Sequence, residues 1–337
     1  MKKSKMLHRI AAALLAGTMM MAMGTTAFAD EPQGTTVTLT KTITADENVL
    51  APETSFGFTI SNGVEQTIKA EDGTNIVVYA GVNGNATFAD GQSTTTLAFT
   101  PGEPLTKSTD ISFETDYDRP GVYHYVVSED SGDYDGMSYS TERYDVYVFV
   151  ENDTNGYKIA KVLVYNENGA KEENVEFDNI YATNNVSLKK VVDGNQADKS
   201  KKFDFTVTVN GQSGEKYTAI LGSTTTILET GVPVKFTLGN DETVTIYGLS
   251  ENDAYEFVET DYSADGYKTT ITGADTTDGL TATGNTKEGN DAVVYTNRKD
   301  VQAPTGIMMN VAPYVLMVAV AAVLAVVFLR RKNNFEN

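Results

Sequence analysis

The chain has 337 residues, enough for two domains of ordinary size, and carries 46 Asp and Glu against 26 Lys and Arg, a net charge of −20. So acidic a chain excludes nucleic-acid binding through phosphates and adhesion to an anionic membrane. It has no cysteine, which excludes disulfides, thiolate catalysis and thiolate zinc sites, and its two histidines cannot build a histidine metal cluster, so neither a metal nor a cofactor is expected.

Residues 1–29 read as a secretory signal. A basic stretch from Lys2 to Arg9 precedes an apolar run from Ile10 to Met23, and Ala27-Phe28-Ala29 follows as the small-x-small pattern of a cleavage site. Cleavage is expected between Ala29 and Asp30.

From residue 30 to 300 the pattern is β. Period-2 alternation recurs, as in Phe56-x-Phe58-x-Ile60, Tyr123-x-Tyr125-x-Val127 and Phe203-x-Phe205-x-Val207-x-Val209, and no helical period persists over three turns. Val146 to Val150 is apolar on both faces, as in a central strand buried on both sides. His124 alternates out of step with Tyr123 and Tyr125 and so should face the other side of its sheet. Asp133-x-Asp135-Gly136 and Asp153-x-Asn155-Gly156 read as turns, since neither continues into a calcium loop. Many short strands between turn signals predict β-sandwiches.

An internal repeat divides this region in two. Val37-Thr-Leu39-Thr-Lys41-Thr-Ile43 opens the first copy and Val186-Ser-Leu188-Lys-Lys190-Val-Val192 the second. Each copy then has Phe-x-Phe (Phe56/Phe58, Phe203/Phe205), Tyr-x-apolar-x-Glu ending at Glu129 or Glu259, and a closing aromatic-x-Asn ending at Asn179 or Asn297. The expected fold class is all-β: two tandem β-sandwiches, 30–183 and 184–300, joined by a link too short for loose tethering.

The last segment, 301–337, has its own logic. Ile307 to Leu329 is uncharged and long enough for a transmembrane helix, and Arg330-Arg331-Lys332 follow at once. Gln302-Ala303-Pro304-Thr305-Gly306 sits directly before it. Pro-Thr-Gly, an apolar span and a short basic tail together resemble the cell-wall sorting signal of Gram-positive surface proteins. The resemblance implies that a sortase cuts between Thr305 and Gly306. Gln302 stands where the general motif has Leu, which points to a dedicated, pilus-type sortase.

Strand parity singles out six polar residues. Lys41 shares its face with Leu39 and Ile43, and Lys190 with Leu188 and Val192. Glu129 and Glu259 follow apolar partners in step, as do Asn179 and Asn297. One such residue could sit at a strand end with its charge reaching water. Six at matching places suggest a reaction: an intramolecular isopeptide bond between Lys41 and Asn179, and another between Lys190 and Asn297. Apolar burial yields a neutral, nucleophilic amine. In the same setting a carboxyl is favoured in its protonated form, which can polarise the Asn carbonyl; Glu129 and Glu259 would take that role. Lys189 is the neighbouring alternative to Lys190, but parity favours Lys190.

With these residues in place the chain resembles the Gram-positive two-domain backbone pilins built from isopeptide-linked, collagen-adhesin B-type immunoglobulin-like domains. Glu259-Thr260 with Gly266-Tyr267 also resembles the E-box of such pilins. The resemblance implies a structural, non-enzymatic subunit of a sortase-assembled pilus, secreted and anchored to the cell wall. Its partners would be a sortase, other copies of itself, accessory pilins and peptidoglycan. Polymerisation would join Thr305 to a lysine near the end of the first domain. No Pro-Lys motif marks that lysine; Lys171, in the Asn/Gly-rich turn after Tyr165, is favoured, with Lys161 second. The alternative is a monomeric wall-anchored adhesin that binds a host ligand. It is disfavoured by the eight-residue tail from Asn297 to Thr305, at most about 28 Å long, which leaves no spacer to cross the wall.

Overall fold

The fold is known from a computed structural model, which describes residues 35–69, 75–300 and 311–333, the last with side chains for 314–327. The first part of the chain forms β1 (Thr36–Thr44), β2 (Thr54–Asn62), β3 (Gln66–Lys69), β4 (Asn75–Ala80), β5 (Ala86–Phe88), β6 (Thr94–Phe99), β7 (Thr106–Phe113), β8 (Gly121–Glu129), β9 (Met137–Ser138), β10 (Arg143–Asp153), β11 (Gly156–Asn166), β12 (Lys171–Glu172) and β13 (Val175–Tyr181). The second part forms β14 (Asn184–Asp193), β15 (Phe203–Asn210), β16 (Lys216–Leu221), β17 (Thr224–Glu229), β18 (Val234–Leu238), β19 (Thr243–Leu249), β20 (Ala254–Glu259), β21 (Lys268–Thr272), β22 (Thr276–Asp278), β23 (Thr281–Asn285) and β24 (Asp291–Arg298). A helix, α1, runs Val311–Asn333.

These strands make two sandwiches, so the fold is all-β as expected. In the first, a sheet ordered β5-β7-β1-β13-β9 faces one ordered β12-β11-β10-β8-β2-β6, to which β4, paired with β3, adds beside β8. In the second, β17-β16-β19-β14-β24-β21 faces β18-β15-β20-β23-β22. The first and last strands of each unit lie side by side and parallel, β1 with β13 and β14 with β24. Alternation supplies the cores: every second residue of β1, from Val37 through Leu39 and Lys41 to Ile43, is buried, and β14 repeats this through Val186, Leu188, Lys190 and Val192. Leu39, Phe56, Phe58, Phe99, Val127 and Phe177 belong to the first core, and Leu188, Phe203, Phe205, Phe257 and Tyr295 to the second.

Val146–Val150 lies in β10, between β11 and β8, and is buried on both faces. The outer face is covered because the β3–β4 ribbon closes a small second core of Ile68, Ile76, Val78, Val122, Tyr147, Phe149, Leu163 and Tyr165. His124 points to this side, as parity requires. It is nevertheless buried, stacked on Tyr147 at 4.8 Å with Nε2 2.7 Å from Asp145 Oδ1.

Only Ala182 and Thr183 separate β13 from β14, and side chains tie the two units together across that joint. Tyr134 Oη donates to Glu215 Oε1 (2.9 Å), Ser250 Oγ to Asp135 Oδ2 (2.7 Å) and Asn252 Nδ2 to Asp135 Oδ1 (2.9 Å). The Asp133–Gly136 turn is thus part of the joint. Gly136 takes φ +73°, and a Cβ there would stand 2.7 Å from the Ala182 carbonyl oxygen, so glycine is required on both counts.

Among the described residues no helix is long and apolar enough to cross a membrane; the described side chains of α1 cover 14 residues, whereas a span needs about 20. The expected span from Ile307 to Leu329 extends beyond them at both ends. The signal segment with Ala29 and Asp30, and the motif containing Thr305 and Gly306, lie outside the described residues.

Candidate functional site: two buried Lys–Glu–Asn sets

Register brings the first set together. In the parallel β1–β13 pair Lys41 is opposite Phe177 and Ile43 opposite Asn179, so Lys41 and Asn179 are diagonal neighbours on the core face. Glu129 ends β8 in the facing sheet, opposite Phe58. Lys41 Nζ donates to Glu129 Oε2 (2.8 Å) and Asn179 Nδ2 donates to Glu129 Oε1 (2.6 Å). The carboxylate bridges amine and amide, and the Lys41 and Glu129 side chains are 0 % exposed. The backbone N–H of Ser140 donates to Asn179 Oδ1 at 2.7 Å.

The second set repeats the construction. Lys190 is opposite Tyr295 and Val192 opposite Asn297, the same two-residue offset, while Glu259 ends β20 opposite Phe205. Lys190 Nζ donates to Glu259 Oε1 (2.8 Å), and Asn297 Nδ2 donates to the same oxygen (2.9 Å). Again both side chains are fully buried. Lys189, the alternative, points outward to Asp241.

The electrostatics suit amine chemistry. Burial pulls the Lys41 ammonium below its ordinary range, against the opposing effect of its hydrogen bond to Glu129. Burial likewise lowers Lys190, to about 8, against the bond to Glu259. Each amine is therefore easier to deprotonate than a surface lysine. Aromatic rings wall both sites: Lys41 Nζ lies 4.6 Å from the Phe56 centroid, Lys190 Nζ 4.4 Å from that of Phe203. Chemically, the arrangement allows the amine to attack the Asn carbonyl carbon while the carboxyl, in contact with both nitrogens, passes the proton to departing ammonia.

The sequence shows the Phe-x-Phe repeat, but its role as the wall of each site requires the strand pairing. Two further participants leave no trace in the repeat: the Ser140 N–H, and Thr269, whose Oγ1 stands 2.9 Å from both Glu259 Oε2 and Asn297 Oδ1. For the lysines near the end of the first unit, one expectation is corrected. Lys171 is not in the turn itself but begins β12, opposite Tyr165, because the hairpin turn is complete by Ala170. Its side chain is exposed. Lys161 is half-buried in β11 with Nζ 4.7 Å from the Phe149 centroid, and Lys158 pairs with Glu151 at 3.0 Å.

Comparison with known proteins gives the family. The Spy0128-like isopeptide containing domain matches residues 37–182, and a domain of unknown function, DUF7601, matches 184–299. The fold is a pair of β-sandwiches, and the first of these matches makes residues 37–182 similar to an isopeptide-containing domain. A curated pilin of Streptococcus pyogenes serotype M1 is 30% identical over 325 residues, covering 89% of this chain and 92% of the relative. Solved major pilins of S. pyogenes superpose over 80% of this chain and 99% of theirs: the T3.2 pilin at 28% identity and TM-score 0.58, and another major pilin at 25% and 0.58. A pilus tip adhesin of the same species, Cpa, is 32% identical over 129 residues, 37% of this chain and 18% of the adhesin. The chain belongs to the pilin family, whose members here are structural proteins and not enzymes.

Proposed function

We propose that this chain is the backbone subunit of a surface pilus, polymerised by a sortase through Thr305 and held rigid by Lys41–Asn179 and Lys190–Asn297 isopeptide bonds. Four segments divide the labour: 1–29 as signal peptide, 30–183 and 184–300 as isopeptide sandwiches, and 301–337 as the sorting signal with its membrane span. The observation that carries this reading is the pair of fully buried Lys–Glu contacts, each beside an Asn on the strand parallel to the lysine's own. Such charges are costly to bury, and replacing amine and amide by one neutral amide removes that cost. A bond there ties the first strand of each sandwich to its last, so tension between the two ends of a unit is borne by a covalent link.

For polymerisation, Lys171 is the acceptor we favour, with Lys161 second, because Lys171 is exposed at a hairpin end while Lys161 is half-buried against Phe149. Partners are further copies of the chain, accessory pilins, the sortase and peptidoglycan. Wall extracts on a denaturing gel should give a ladder of covalent multimers, which Lys171→Arg should collapse to wall-anchored monomer. A single band from the wild type would instead favour a monomeric adhesin. An undiminished ladder in Lys171→Arg would remove that lysine as the acceptor.

A further inference from the structure

The Thr269 hydroxyl occupies a place that one hydroxyl proton cannot satisfy unaided. Its Oγ1 is 2.9 Å from Glu259 Oε2 and 2.9 Å from Asn297 Oδ1. An amide oxygen and an ionised carboxylate are both acceptors only, whereas threonine has a single proton to give. Each contact has a proton of its own when Glu259 Oε2 bears one and donates it to Thr269 Oγ1, while Thr269 donates onward to Asn297 Oδ1. The other carboxyl oxygen fits this assignment. Oε1 accepts from Lys190 Nζ at 2.8 Å and from Asn297 Nδ2 at 2.9 Å, as the carbonyl oxygen of a neutral acid would.

We propose that Thr269 is a catalytic residue of the C-terminal isopeptide site, relaying the proton of Glu259 to the Asn297 carbonyl oxygen. The proposal rests on the bond-forming reading of that site. As neutral Nζ attacks Cγ of Asn297, Oδ1 gains charge and takes the Thr269 proton, and Thr269 takes the Glu259 Oε2 proton. Oε1 meanwhile accepts a proton from Nζ. On collapse the Oδ1 proton returns through Thr269 to Oε2, the Oε1 proton passes to Nδ2, and the Cγ–Nδ2 bond breaks. One Nζ–Cγ bond has formed, one ammonia has left, and Glu259 and Thr269 end as they began.

Strand pairing explains why a side chain is needed here. Thr269 lies in β21 directly opposite Asn297, and β21 keeps its register with β24 from Lys268 to Thr272. In the first sandwich the corresponding edge strand, β9, pairs with β13 only at Ile180 and Tyr181. Its continuation is released before Asn179, which frees the Ser140 N–H to serve Asn179 Oδ1. Where the edge strand persists, the donor has to come from a side chain.

The test is the rate of ammonia loss in the full chain, made by cell-free synthesis, quenched into acid at intervals and weighed intact, with peptide mapping of the Lys190–Asn297 product. Thr269→Val and Thr269→Ala should slow the second loss on the order of 100-fold, the scale of losing one donor to a developing oxyanion. The first loss, at Lys41–Asn179, should keep its wild-type rate, and Thr269→Ser should react within a few-fold of wild type. The two apolar variants change side-chain volume in different ways, so slowing in Val alone would indicate packing and overturn the relay. Wild-type rates in both would overturn it, and so would a serine variant as slow as valine. If one apolar variant fails to fold, judged by near-ultraviolet circular dichroism, the other decides alongside serine. If the wild type never loses ammonia from Asn297, it is the bond itself that fails, and that result is separate from every outcome above.

Discussion

The two sandwiches hold the same lysine, glutamate and asparagine in the same register, yet the asparagine carbonyl meets a different donor in each. In the first, the two oxygens of Glu129 divide the work, one to Lys41 and one to Asn179, and a peptide N–H faces the Asn carbonyl. In the second, one oxygen of Glu259 serves both nitrogens, and the other reaches the carbonyl through Thr269. Lysine, glutamate and asparagine recur because the bond-forming reading requires an amine, a proton carrier and an amide. The carbonyl's donor does not recur, because any N–H or O–H at the right point will do. A repeat therefore preserves the reacting groups and leaves their support free to differ.

The largest expected effect comes from removing the proton carrier in one sandwich at a time. Intact wild-type mass should fall short of the sequence mass by two ammonia molecules, and Glu129→Ala and Glu259→Ala should each restore one. Each bond closes a loop of more than 100 residues, so by the loop-entropy argument used for disulfides its loss should cost on the order of 4–5 kcal/mol. The melting transition of the affected sandwich should drop by roughly 10–25 °C. A full-length wild-type mass would break the comparison at its root, and a one-ammonia deficit would confine the chemistry to one sandwich.

The next effect separates the two donors. Ser140→Ala keeps the peptide N–H and should leave the first ammonia loss at its wild-type rate. Ser140→Pro removes the N–H and should slow it about 100-fold, with the second loss unaffected. Timed mass spectra read both rates in one sample. Equal rates for the alanine and proline variants would show that Asn179 does not depend on that N–H.

The contrast also marks what was legible in the sequence. Parity placed Lys41, Lys190, Glu129, Glu259, Asn179 and Asn297 on apolar faces because each lies within a strand of regular alternation, and periodicity is a local property. The fold class followed for the same reason. Ser140 was invisible because it acts through its backbone, and Thr269 because one threonine among many carries no pattern until β21 is paired with β24. The second small core was missed because the β3–β4 ribbon folds back over β8 through a parallel pairing that no local pattern announces. Lys171 was placed in a turn because its Asn/Gly-rich surroundings outweigh a two-residue strand, which only the pairing with Tyr165 reveals.

A smaller effect concerns pH. With the Lys190 amine at about 8, roughly a tenth is neutral at pH 7, far more than for an ordinary lysine. In the relay the neutral amine needs Glu259 protonated, a pair that holds as many protons as the ammonium–carboxylate pair, so the rate of the second ammonia loss should be level from neutral pH up to about 8 and fall about tenfold per pH unit above it. Lys41 is lowered as well, so the first loss should also begin to fall below the ordinary lysine range. A rate still climbing steadily to pH 10 would show that the reaction needs no proton on Glu259.

The smallest effect is expected at the joint between the sandwiches. Asp253 is buried beside Glu215, with Tyr217 and Tyr134 both donating to that glutamate and Tyr181 and Asp135 nearby. Burial first, and the charge of Glu215 second, push the Asp253 carboxyl up from its ordinary 3.8 to about 7, although Ser250 N–H donates to it. The folded state then holds this proton more tightly than the unfolded chain does. The stabilisation is complete below about pH 4 and is lost as pH rises through 7. The second sandwich, which holds Asp253, should therefore melt a few degrees lower at pH 8 than at pH 5, while the first should lack this component. Asp253→Asn keeps an oxygen for the Ser250 N–H and carries no charge. It should flatten the pH dependence of the second transition, with the largest gain over wild type at pH 8. Calorimetry across that range checks this, and an unchanged slope in the asparagine variant would show that Asp253 is already ionised in the folded joint.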